Sequence, residues 1–159
     1  GVHAVKIEGR MKSVYYTAVV ARAYRKALDA LDGREPPGLE DYKNELHNIS
    51  HREYSTGFYF DSREIETPTR ESYLQEYRLL GTVLGVTAEG LAEIDVRNSF
   101  SKNRSIQYIG PHVPFIDDSG FVIFNEKMEE TDKALHGKRH FLKTDKPLKT
   151  GFIIRGRLN

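Results

Sequence analysis

The sequence predicts an α+β fold: an N-terminal helical segment followed by a small antiparallel β-barrel. Three observations carry that expectation. Between Ser13 and Asp32 apolar residues recur at three- and four-residue spacing, the period of an amphipathic helix. From Tyr77 onward the period changes to two, in short runs separated by Gly, Pro, Asp and Asn, as expected of short strands joined by turns. Between the two, residues 61–76 are polar, contain Pro68 and show no period, so they read as a connector. The expected division is 1–60, 61–76 and 77–159.

The first element is an apolar run, Val2, Ala4, Val5 and Ile7, suited to a strand buried on both faces. It leads directly into Lys6, Glu8 and Arg10 and then into a capped helix. That is the layout of a strand end in an α/β fold, where strand carboxyl ends carry chemistry. Spacing alone favours a solvated strand end with local ion pairs. Ser13 is a good N-cap and Gly33 a good residue to end the helix, with Pro36-Pro37 preventing its continuation. Tyr16, Val20, Ala23, Tyr24, Ala27, Leu28 and Leu31 form the expected buried face, with Arg22, Arg25, Lys26 and Asp29 opposite. Such a face needs a partner, either the C-terminal half or a second copy in a homodimer. Leu39, Tyr42, Leu46 and Ile49 suggest a second, short helix, followed by an aromatic anchor at Phe58-Tyr59-Phe60.

In the C-terminal half, Tyr77–Val86 and Leu91–Val96 read as a hairpin turning at Ala88-Glu89-Gly90. Ala92, Ile94 and Val96 face one side, Glu93 and Asp95 the other. Further strands are expected at Ser105–Ile109, Gly120–Phe124, Lys138–Leu142 and Phe152–Arg155, with a weak helical turn at Glu129–Leu135. Several short strands without intervening helices indicate a small barrel.

Composition excludes several classes of function. With 24 Lys and Arg against 23 Asp and Glu, a global basic footprint for nucleic acid is absent, leaving only local patches. Zero cysteines exclude disulfides, thiolate catalysis and a cysteine-held metal or iron–sulfur cluster within this chain. No apolar run approaches a membrane span and no signal peptide is visible, so a cytoplasmic protein with no membrane partner is expected. The start at Gly1, without Met, reads as a fragment of a longer chain. No HExxH or GxSxG occurs. His47 and His51 are four apart without an evident third ligand, and His136 and His140 read as exposed loop and strand positions. No metal site is therefore expected here. His51, Arg52 and Tyr54 either form a structured turn or face a substrate. Lys102, Arg104, Lys138, Arg139, Lys143, Lys146, Lys149, Arg155 and Arg157 offer a phosphate-backbone surface. Tyr108, Phe115, Phe121 and Phe141 would stack bases if exposed, although such aromatics more often fill a small core.

Four segments resemble one known family. Lys6-Ile7-Glu8-Gly9-Arg10-Met11-Lys12-Ser13 is similar to the signature of the collagenase-like peptidases, family thirty-two of those with unassigned catalytic type. His51-Arg52-Glu53-Tyr54-Ser55-Thr56-Gly57-Phe58-Tyr59-Phe60 resembles its second conserved segment. Val96-Arg97-Asn98-Ser99-Phe100 and Lys149-Thr150-Gly151-Phe152-Ile153-Ile154-Arg155 resemble elements of its C-terminal domain, a barrel like those of elongation factors. Two departures stand out: Asn103-Arg104 replaces a usual Gly-Asp, and Phe152 replaces an acidic residue.

The resemblance implies that residues 1–60 are the end of an α/β barrel-like catalytic domain whose remainder is the chain's missing partner. It implies substrate contacts at Lys6, Glu8, Arg10, His51, Arg52 and Tyr54, and a barrel surface at Arg97, Asn98, Phe100, Lys138 and Arg139. Two roles follow. The barrel presents a protein or peptide substrate to a peptidase, or it docks tRNA or rRNA for a base-hydroxylating enzyme. In either case the chain by itself is expected to be an accessory module without catalysis. The parent's metal or iron–sulfur cluster would be held upstream, with no cofactor in this chain.

Overall fold

A computed structural model describes residues 3–34, 38–52, 54–57, 59 and 74–158. The chain divides into two compact units, Gly1–Gln75 and Glu76–Asn159. The expected connector falls almost wholly outside the described residues, as do Phe58 and Phe60 of the aromatic anchor.

The first unit is built on helix α1 (Val14–Leu31). Ser13 caps it, its hydroxyl accepting the Tyr16 N–H at 3.3 Å. Gly33 ends it at φ +75°, a left-handed conformation that Gly adopts without steric cost. Helix α2 (Leu39–Asn44) and a 3₁₀ turn (Glu45–Asn48) pack against α1. The buried face differs from the expected one by about one residue. Tyr15, Val19, Val20 and Ala23 are buried, together with Tyr42 and Ile49, whereas Tyr24, Leu28 and Leu31 are exposed. The shift follows from Glu45, which is buried and draws Arg22 inward to 3.8 Å. A carboxylate removed from water needs a cation close by, so the helix turns its Arg22 side toward the turn. The Arg22 guanidinium also lies over the Tyr42 ring, at 4.9 Å from its centre.

The expected N-terminal strand is corrected. His3–Gly9 has no regular secondary structure, and Val5 and Ile7 are 58% and 44% exposed. A strand buried on both faces requires paired neighbours, and among the described residues of this unit the sole β pairing is the bridge between His51 and Leu74.

The second unit contains ten strands: β1 (Tyr77–Val86), β2 (Ala92–Val96), β3 (Phe100–Ser101), β4 (Ile106–Gly110), β5 (Val113–Asp118), β6 (Val122–Asn125), β7 (Glu130–Thr131), β8 (Lys133–Ala134), β9 (Arg139–Lys143) and β10 (Ile153–Arg157). Eight form one antiparallel sheet in the order β5-β4-β10-β1-β2-β9-β6-β7, and β3 pairs with β8 separately. The α+β class therefore holds. The barrel is not closed by hydrogen bonds, since β5 and β7 remain edges of the ladder. A single core is nevertheless formed by Leu80, Val83, Ile94, Val96, Phe100, Ile106, Tyr108, Phe121, Ile123, Leu142, Phe152 and Ile154. The alternation expected in β2 is present, with Ala92, Ile94 and Val96 all buried.

Close approach at β1 depends on glycine. A Cβ at Gly81 would lie 2.5 Å from the Asp95 carbonyl oxygen, and the ladder register shifts on both sides of this point. Such irregularities raise local twist and let a sheet curl around one core. Strand β5 was not among the expected strands because Pro114 interrupts its pattern; an edge position tolerates the missing N–H. The helical turn expected at Glu129–Leu135 is instead β7 and β8.

Candidate functional site

Lys12 Nζ, near the end of the first signature segment, donates to the carbonyl of Ser50, the residue just before the second, at 3.2 Å. Lys6, Glu8 and Arg10 are solvent-exposed. Lys6 and Glu8 form a loose ion pair at 3.8 Å, and the Arg10 N–H donates to Glu8 Oε1 at 3.1 Å. They form a local turn. His51 is buried: its Nδ1 lies 2.8 Å from the Ile49 carbonyl, and its ring stacks on Tyr54 at 4.7 Å. His47 meets both rings edge-on, at 5.6 and 5.2 Å. The Tyr54 hydroxyl donates to the Leu46 carbonyl at 2.7 Å, and burial raises its pKa above the ordinary phenol value. Their packing is that of a ring cluster bracing the turn. Arg52, between them, is exposed.

The second unit's expected surface is reassigned in part. Phe100 is 4% exposed and packs against Phe121, so it is a core residue and not a surface one. The Asn98 side chain donates to the Leu79 carbonyl at 2.8 Å, tying the end of the hairpin to β1. Arg97 pairs with Asp95 at 2.9 Å. Arg139 is held by Glu93 through bonds of 2.7 and 3.1 Å, which raise its pKa further. Lys138 is exposed. Of the aromatics considered for base stacking, Tyr108, Phe121 and Phe141 are buried and Phe115 is 40% exposed. Tyr108 donates to Asp118 Oδ2 at 2.9 Å, and Thr144 donates to the same oxygen. Burial, followed by the Asp118 charge, pushes the Tyr108 hydroxyl well above its ordinary pKa.

A different group of cations converges. Arg78, Arg104 and Arg157 line a cleft of about 220 Å³ whose floor is formed by Leu80, Phe100 and Ile106. Strand pairing assembles it. In the β1–β10 register Arg78 lies opposite Gly156 and Tyr77 opposite Arg157, and β4 pairs with the other side of β10. Arg104 comes from the turn before β4. Arg104 and Arg157 belong to the basic set visible in sequence, but Arg78 was missed. Its signal would have been the pairing of the closing strand with β1, which no local pattern reveals. Arg155, also in that set, is 1% exposed; it donates to Gln107 at 2.9 Å and lies over the Tyr77 ring at 4.3 Å.

The chain has no cysteine, and among the described residues no group of three His, Asp or Glu is arranged to hold a metal. His140, expected to be exposed, is buried, and its Nε2 accepts the Leu135 N–H at 3.0 Å. No described helix is long and apolar enough to cross a membrane.

The first unit is helical and carries exposed signature residues, and the second is a sheet with an arginine-lined cleft. Residues 1–69 match peptidase family U32 and residues 75–155 match the peptidase family U32 C-terminal domain; the chain belongs to this family. It is 35% identical over 153 residues to tRNA hydroxylation protein P of Haemophilus influenzae, covering 89% of this chain and 31% of that protein. Identity to tRNA hydroxylation protein P1 of Bacillus subtilis is 28% over 142 residues, covering 86% of this chain and 33% of that one. Identity to tRNA hydroxylation protein P of Escherichia coli is 34% over 116 residues, covering 70% of this chain and 25% of that one. The chain thus spans a quarter to a third of the length of these relatives. The C-terminal domain of a candidate U32 peptidase from Geobacillus thermoleovorans superposes with a TM-score of 0.44 at 28% identity, covering 49% of this chain and 98% of that one.

Proposed function

We propose that this chain is part of a tRNA-hydroxylating protein and that its second unit docks the tRNA. The observation that carries the reading is the 89% coverage by the Haemophilus influenzae relative at 35% identity, because it runs through both units. The second unit has 13 Lys and Arg against 11 Asp and Glu, too balanced for attraction by net charge alone. Docking must therefore rest on a local arrangement of cations. The hydroxylation step itself is assigned to no residue here. A tRNA partner is met in the cytoplasm, which supports a cytoplasmic location.

The test is anisotropy of labelled tRNA titrated with the 159-residue chain at two salt concentrations, beside a labelled gelatin peptide. Saturable tRNA binding that weakens steeply with salt is expected, since each neutralised phosphate releases counterions. Gelatin binding without tRNA binding would overturn the proposal in favour of a peptide-presenting module.

A further inference from the structure

We infer that the cleft between Arg78, Arg104 and Arg157 is the seat of an RNA phosphodiester, the point at which the second unit grips the nucleic-acid backbone. The inference rests on the tRNA-docking reading and specifies where and how it occurs. Its basis is the convergence of three guanidinium groups on one cleft, in a unit where several other cations are already neutralised. Arg97, Lys102, Arg139 and Lys146 each lie about 3 Å from a carboxylate of this unit. Arg78 and Arg104 have no ion pair among the described residues, and Arg157 stands 3.6 Å from Glu76, beyond hydrogen-bonding distance. Three guanidinium groups lining one cleft repel one another unless an anion lies among them. Their planar forks suit the two non-bridging oxygens of a phosphodiester.

The floor supports RNA over an acidic peptide. Leu80, Phe100 and Ile106 belong to the core and reach the cleft only by their edges, so its floor is a narrow apolar strip beneath the charges. A backbone phosphate places a ribose and base beside its charge, and these have apolar faces to set on such a floor. A glutamate side chain supplies a charge with no flat apolar group attached. Glu76, paired loosely with Arg157, then acts as the internal anion that the phosphate displaces.

The experiment uses the 159-residue chain, the triple variant Arg78→Gln/Arg104→Gln/Arg157→Gln, the single variants Arg104→Gln and Glu76→Gln, and Lys127→Gln as an exposed cation outside the cleft. Binding of tRNA is measured across salt concentrations, and the arginine Nε–H resonances are followed by NMR during titration with a uridine trinucleotide. The triple variant is expected to lose about tenfold or more in tRNA affinity, with a salt dependence shallower by roughly 0.9 per lost contact. Glu76→Gln should tighten binding two- to threefold, and Lys127→Gln should leave it nearly unchanged. Arg104→Gln alone, on an exposed turn, keeps the test valid if the triple variant melts early. Wild-type tRNA affinity in the triple variant would overturn the cleft while leaving tRNA docking intact. Trinucleotide shifts at these arginines without tRNA binding would keep the cleft and overturn the docking reading. Equal displacement of the trinucleotide by hexaglutamate would overturn the RNA assignment, and no response to either probe would overturn both.

Discussion

The first signature segment of the helical unit and the matched segment after β2 use their residues in opposite ways. In the first, Lys6, Glu8 and Arg10 are exposed, touch one another and brace nothing else that is described. In the second, the matched segment is woven into the fold: Asn98 ties the hairpin end to β1, Phe100 fills the core, and Arg97 neutralises Asp95. A family motif can therefore mark either a surface kept for a partner or a joint that makes the domain. The two are told apart by what the side chains contact. Of the cleft arginines, Arg78 and Arg157 fall outside every motif, and Arg104 stands where this chain departs from the family pattern.

That contrast can be broken by substitution. The largest effect is expected for Phe100→Ala, which removes a fully packed ring and should cost the second unit roughly 4 kcal/mol in chemical denaturation. Gly81→Ala should cost about 2 kcal/mol, because the new methyl meets the rigid backbone at Asp95; a denaturation midpoint equal to wild type would show that β1 shifts freely. In the first unit, Ser13→Ala removes the α1 cap and should cost about 1 kcal/mol, read from the helical signal in a thermal melt. Lys6→Ala with Glu8→Ala should leave the melting temperature unchanged, since an exposed pair contributes little. A clear drop would show that this turn braces the unit after all.

The pH dependence sharpens the same comparison. The Tyr108 pKa is raised in the folded unit, so above about pH 10 the unfolded chain loses the phenol proton while the folded one keeps it. The folded state then binds more protons than the unfolded state, and stability falls as pH rises. Below that pH the contribution is fully present. Denaturation midpoints of the second unit should decline above pH 10, and Tyr108→Phe should flatten the decline. An unchanged slope in that variant would assign the alkaline loss to other groups.

Much of the fold was legible in sequence because its signals are local. The cap at Ser13, the stop at Gly33, the hairpin at Gly90 and the inward set Ala92, Ile94 and Val96 each depend on a few neighbouring residues. The errors arise where distant residues decide. Val5 and Ile7 resemble a strand, but strand formation depends on neighbours that local pattern cannot supply. The α1 face was misjudged because Glu45, more than one helix away in sequence, holds Arg22. Phe100 was taken for surface because an aromatic within a motif does not reveal which side of a short strand it occupies. The arginine cleft depends on the β1–β10 register, set by strands more than seventy residues apart.

The open ladder of the second unit has a further consequence. Its two free edges are poor templates: β5 carries Pro114, which offers no N–H, and two acidic residues at its end, while β7 is two residues long. Edges of this kind discourage a foreign strand from annealing to the sheet. The domain is thereby guarded against sticking to its own copies, and β-augmentation is a poor route for any peptide that seeks it. A ligand must be held by side chains on the flanks, where charge and shape can be selected position by position.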